Sequence, residues 1–150
     1  MGGLEEDLSA HSIIGIDTAP FIYLWERHPQ YAPLSEALFR YLKRPDVQGI
    51  TSMITLIEAC VQPKRRGRQD LIDAYEHALL DSQQVRTLLI DAPLARRAVG
   101  LRATLNLRVP DALQMAAALQ AGATLFVTND RRLTAVRQIQ VLLLDDYLAQ

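Results

Sequence analysis

Four carboxylates in this chain stand where chemistry could use them: Asp17, Glu58, Asp111 and Asp130. Asp17 ends the apolar run "IIGI" and is followed by Thr18; Asp130 follows "LFVTN". Glu58 lies four residues after Ile54 and three before Val61, which sets it on a helix flank shared with buried aliphatics. Asp111 stands in the first turn of a helix that Ala112, Leu113, Met115, Ala116, Ala117, Ala118 and Leu119 make apolar on all sides. Each acid also has a plain structural reading. Asp17 and Asp130 can start the helices that follow them, Asp111 suits a helix dipole, and Glu58 can reach solvent. Burying an ionised acid without a partner is very costly. Acids that converge raise one another's pKa unless something positive sits among them. A hard divalent cation, Mg²⁺ or Mn²⁺, held by oxygen ligands meets that need. Carboxylate-bound ions of this kind favour phosphate substrates, because they activate water and neutralise charge on phosphate oxygens.

The elements that must position these acids alternate along the chain. Strand-like segments are Ile13–Ile16, 47–52, 85–90, 124–128 and 141–148. Helix-like segments are 20–26, 33–44, 52–62, 69–81, 93–107 and 110–122. Leu34, Leu38 and Leu42 recur at four-residue spacing, and Leu71, Ile72, Tyr75 and Leu79 share one face. Pro63 is expected to stop the third helix, Gly122 the last one, and "QPKRRGR" to form a basic loop. Aliphatic strands separated by helices imply an α/β domain with a mainly parallel sheet. In such sheets the site lies beyond the carboxyl ends of the strands, near the point where strand order reverses. Asp91, Asp145 and Asp146 also follow apolar runs. The first precedes an ordinary helix start and the others stand near the C-terminus, so all three read as structural.

Composition bounds the alternatives. A chain of 150 residues suits one domain, here 13–150, preceded by an acidic segment, 1–12, expected to be loosely ordered. A net charge of −1 gives no case by itself for nucleic-acid or membrane binding. Cys60 is the only cysteine, which excludes an intrachain disulfide and a thiolate zinc site, and His11, His28 and His77 lie far apart and fit no zinc spacing. No apolar run spans a bilayer and the start lacks a signal peptide's pattern, so a cytoplasmic protein is expected.

The stretches "IIGIDTAPFIYLWE", "ITSMITLIEAC", "LRVPDALQMAAAL" and "LFVTNDRRL" resemble the successive motifs of PIN-domain ribonucleases. The resemblance is greatest to the single-domain, VapC-like toxins of type II toxin–antitoxin modules, and it runs from about Ile13 to the end. The family's acids fall on Asp17, Glu58, Asp111 and Asp130. Thr18, Thr128 and Asn129 would support them from behind, with Thr18 also capping the helix. The resemblance implies a three-layer sandwich around a parallel five-stranded sheet of order 3-2-1-4-5. It implies Mg²⁺- or Mn²⁺-dependent RNA hydrolysis, a homodimer and a small cognate antitoxin. Many members carry Asn or Ser two residues after the first acid, where this chain has Ala19.

Arg131 and Arg132, beside Asp130, and the patch Lys64, Arg65 and Arg66 are candidate contacts for RNA phosphates. Solvation alone also explains the patch. Tyr23 falls off its helix's apolar side and is expected to face a partner chain. A phosphoacceptor receiver domain would need a lysine after a late strand, and the only lysines are Lys43 and Lys64. A non-catalytic PIN-like module would not need all four acids. A PIN nuclease acting on RNA or DNA outside any toxin role shares every feature named here.

Overall fold

The computed structural model describes residues 2–148. In chain order the elements are α1 (Leu4–Leu8), β1 (Ile13–Ile16), α2 (Thr18–Trp25), α3 (Ala32–Tyr41), β2 (Gln48–Ser52), α4 (Met53–Arg65), α5 (Gln69–Glu76), β3 (Val85–Leu88), α6 (Ala92–Thr104), α7 (Val109–Gln120), β4 (Leu125–Thr128) and β5 (Gln140–Leu143). The strands form one all-parallel sheet of order β3-β2-β1-β4-β5, as the sequence resemblance implied. β1 is the central strand, so the winding reverses between β1 and β4 and opens a crevice at their carboxyl ends.

Side-chain alternation divides the core in two. Ile14 and Ile16 of β1 and Leu125 and Val127 of β4 pack with Leu8, Phe21, Leu38 and Tyr75 from the helices of one layer. Phe126 and Ile50 point the other way, against α6 and α7. α7 fits there because its residues from Ala112 to Ala118 are all buried. It ends at Gly122, whose φ of +81° lets the Ala123 and Gly122 N–H groups return to the carbonyls of Ala118 and Leu119.

Three expectations need correction. The N-terminal segment is not a loose tail: Leu4 and Leu8 bury one face of α1 in the core, and the Tyr147 hydroxyl donates to Asp7. Met1, and Ala149 and Gln150 at the far end of the expected domain, lie outside the described residues. Pro63 does not stop α4; it is buried inside the helix, which runs on to Arg65. The stop is Gly67, at φ +66°, with the Arg68 N–H bonded to Pro63 O at 2.9 Å and the Gly67 N–H to Lys64 O at 3.2 Å. Lys64 and Arg65 therefore belong to a helix end, where positive charge suits the dipole, and not to a loop. The last strand is short: it stops at Leu143, and Leu144–Tyr147 forms a 3₁₀ turn. Among the described residues, no helix is long and apolar enough to cross a membrane.

Candidate active site

Asp17 leaves the sheet where β1 ends. Its backbone N–H donates to Val127 O at 3.0 Å, so the ladder to β4 fixes the residue. The side chain caps α2 by accepting from the Thr18 N–H at 2.9 Å. The helix-start reading of this acid therefore holds, and Asp17 itself, not Thr18, supplies the cap. Its other oxygen, Oδ2, accepts from the Thr128 hydroxyl at 2.7 Å, and Gln114 Nε2 approaches Oδ1 at 3.4 Å. Burial raises the Asp17 pKa, and the charge of Asp111 adds to the rise; the donors from Thr128, Thr18 and Gln114 oppose it.

The Thr18 hydroxyl goes to Glu58 Oε1 at 2.7 Å. One residue thus gives its N–H to Asp17 and its O–H to Glu58. The buried flank expected around Glu58 is there only in part: Ile54 is half-buried and packs against the core, whereas Val61 does not. Glu58 is exposed, and its neighbours Ile57 and Val61 are 59% and 43% exposed. α4 turns only its Thr55 and Ala59 side fully inward, and the Thr18 hydroxyl, not apolar packing, sets the direction of Glu58.

Asp111 occupies the third position of α7, and its side chain is 13% exposed. Arg108 Nε lies 3.2 Å from its Oδ2, and Arg132 Nη2 lies 3.8 Å from the same oxygen. Asp130 caps the 3₁₀ turn Arg131–Ala135. Its Oδ1 accepts from the Arg132 N–H at 3.0 Å and from Arg132 Nε at 2.9 Å, while Arg132 Nη2 reaches Oδ2. These bonds hold the Asp130 carboxyl below its usual range. Buried Thr128 joins the two strand-end acids, donating to Asp17 and accepting from the Asp130 N–H at 3.0 Å.

The four acids are thus tied together through shared partners: Thr18, Thr128 and Arg132. Among the described residues, no three Asp, Glu, His or Cys side chains already close into a metal cage. The donor set still fits a hard divalent cation. It consists of carboxylate oxygens, and Asp17 and Asp111 repel one another with Arg108 and Arg132 as the positive charges beside Asp111.

Other expected residues fall elsewhere. Arg131 pairs with Asp146 at 3.0 Å, away from the acids. The Asn129 side chain donates to Tyr23 Oη at 3.0 Å and accepts from the Asp145 N–H at 2.8 Å, so it braces the loop and touches none of the four acids. Tyr23 does not project as a free partner contact; it stacks on Tyr31 at 4.7 Å. Lys64, Arg65 and Arg66 stand at the C-terminal end of α4. Asp91 caps α6, as its plain reading held.

Gln114 is the residue that the sequence reading passed over. It is 2% exposed, and its amide nitrogen faces Thr55 Oγ1 at 2.8 Å and Thr18 Oγ1 at 3.2 Å while its oxygen accepts from Ser52. A signal for it exists: it is the one polar residue between Ala112 and Leu119, three places after Asp111 and so on the same helix face. Arg108, the partner of Asp111, stood outside the helix as read and carried no such signal.

The comparisons with known proteins agree with this fold. A family model described as PIN domain matches residues 14–139. A toxin–antitoxin complex from Klebsiella pneumoniae contains a chain 22% identical, with a TM-score of 0.65, covering 89% of this chain and 97% of that one. DNA-bound VapBC from Salmonella typhimurium gives 19% identity and a TM-score of 0.66, covering 89% and 98%. VapBC2 from Rickettsia felis, bound to a DNA fragment from its promoter, gives 17% and 0.63, covering 87% and 97%. No curated protein matches the sequence.

Proposed function

The chain belongs to the PIN-domain family, a family of nucleases, and on that premise we propose that it is a Mg²⁺- or Mn²⁺-dependent ribonuclease hydrolysing RNA phosphodiester bonds, the toxin of a toxin–antitoxin pair. The observation that carries the reading is the pairing of Asp17 and Asp130 through Thr128 at the switch point, with Asp111 close enough to raise the Asp17 pKa. Asp17 and Asp111 would hold the cation most directly, with Asp130 and Glu58 completing the oxygen set. When bound, the ion supplies an acidified water and neutralises charge on the phosphate.

The protein's own groups orient these ligands. Thr128 and Thr18 each fix one oxygen of Asp17, Gln114 braces Thr18 from below, and Thr18 aims Glu58. Arg132, and at longer range Lys64, Arg65, Arg66 and Arg131, would contact RNA phosphates. Hydrolysis would leave 5′-phosphate and 3′-hydroxyl ends. A small cognate antitoxin and a second copy of the chain are the proposed partners, in the cytoplasm. Exposed Val99 (67%) and Val109 (51%), flanking the groove between α6 and α7, support a partner chain, as do the solved complexes of similar fold.

The deciding experiment is cleavage of single-stranded RNA with and without Mg²⁺ or Mn²⁺, run on wild type and Asp17→Asn together. Cleavage should need the ion and fall to background in the variant; activity retained in Asp17→Asn would remove the assignment. A parallel DNA substrate, and growth arrest on expression of this chain alone, separate the toxin from a PIN nuclease with another role.

A further inference from the structure

A cation already sits among these acids. The Arg132 guanidinium forks both oxygens of Asp130 and places Nη2 3.8 Å from Asp111 Oδ2. It bridges two acids carried by different elements, the loop after β4 and the first turn of α7. Its side chain is 64% exposed, whereas those of Asp130 and Asp111 are 24% and 13% exposed. The guanidinium is therefore the partner open to solvent, and the carboxylates are the sheltered ones. Arg131, its neighbour in sequence, turns the other way to Asp146, so the placement is particular to Arg132. The other charged groups here, among the described residues, are Arg108, 3.2 Å from Asp111 and near enough to act on Asp130, and Asp17, on which the charge of Asp111 acts.

A guanidinium fork occupies the carboxylate oxygens that a divalent ion would need, and the two positive charges repel. We propose that Arg132 is an internal counter-cation: it closes the acid cluster while the divalent ion is absent and swings out when the ion binds. Occupancy of the site is then a competition between the ion and this side chain. Once displaced, the guanidinium stands at the rim, placed to meet a substrate phosphate. This inference rests on the metal-dependent reading above and adds the regulation of that site.

The test is Mn²⁺ binding to metal-free protein, followed by loss of the free-ion EPR signal, with no substrate present. Arg132→Gln should bind Mn²⁺ about five-fold more tightly than wild type, the scale expected for releasing one exposed ion pair. Arg131→Gln should not change the affinity. Thermal melting in EDTA gives a second readout: Arg132→Gln should melt below wild type and gain more from Mn²⁺, because Arg108 is then left as the one cation beside Asp111 and acting on Asp130 among the described residues. Arg132→Lys keeps the charge without the fork and should tighten binding less. Equal or weaker Mn²⁺ binding by Arg132→Gln, beside a wild type that binds, overturns the counter-cation alone. Absence of Mn²⁺ uptake by both overturns the metal reading with it.

Discussion

The Thr128 hydroxyl donates to Asp17 Oδ2 at 2.7 Å from the strand next to the one that carries the acid. The bond favours the ionised carboxylate and opposes the effect of burial. Thr128→Val keeps the shape and removes the donor. The Asp17 pKa should then rise further, because the group lost is one that lowers it. If ionised Asp17 is needed for cleavage, the acid limb of the kcat/KM profile should move to higher pH, with a fall of about 10–100-fold at neutral pH. A profile superimposable on wild type would separate Thr128 from the chemistry.

Asp17 also has a consequence for stability. Its folded pKa lies above the ordinary 3.8, so the folded state binds more protons than the unfolded chain between those two values. Stability therefore falls as pH rises through that window, and the cost is fully present above the folded pKa. Asp17→Asn cannot ionise and should melt above wild type in EDTA at pH 7. Each kcal/mol relieved raises Tm by about 2–4 °C in a chain of this length. The difference should vanish below the unfolded pKa, where both side chains are neutral. A melting point lower than wild type at pH 7 would show that Asp17 contributes more as a hydrogen-bond acceptor than burial takes away.

The alternation of apolar strands and helices already carried the sheet, because strands buried on both faces read as unbroken aliphatic runs. The strand ends then located Asp17 and Asp130, and the apolar helix exposed Asp111 as an anomaly. What stayed hidden depended on angles and partners that sequence does not encode locally. Gly67, not Pro63, ends α4, since a proline late in a helix loses one bond while a glycine at positive φ closes two. α1 read as a polar tail because only Leu4 and Leu8 of its five residues face inward. Glu58 lay near the inferred place for a different reason, the Thr18 hydroxyl 40 residues away.

Gln114 makes the polar floor of the site testable apart from its acids. Gln114→Leu leaves the Ser52 and Thr55 hydroxyls without its amide and removes a brace on Thr18. Thr55 keeps Thr51 and Thr18 as partners, but the buried Ser52 hydroxyl loses its acceptor, which costs about 1–3 kcal/mol. Because Thr18 serves both Asp17 and Glu58, cleavage should also drop by about 10–100-fold. Urea unfolding and the cleavage assay on one preparation check both. Full activity in a destabilised variant would confine Gln114 to packing.

Gly15 fixes how closely α7 approaches β1, and through that the distance between Asp17 and Asp111. A Cβ at this position would stand 2.6 Å from Ala118 Cβ and 2.8 Å from Phe126 Cδ1, closer than carbon atoms pack. The Ala118 contact is a Cβ fixed to the helix backbone, and the Phe126 contact is a buried ring on the paired strand, so the methyl finds little room. Gly15→Ala should therefore destabilise by about 1–3 kcal/mol, measured by urea unfolding. Ala118→Gly alone should cost about 1 kcal/mol, from glycine inside a helix. Combined, the two should cost less than the sum of the singles, because the new methyl occupies the space that the old one leaves. Strict additivity would mean that the clash lies with Phe126 alone. Cleavage by the folded single variant should fall more than its stability accounts for, since displacing α7 carries Asp111 away from Asp17.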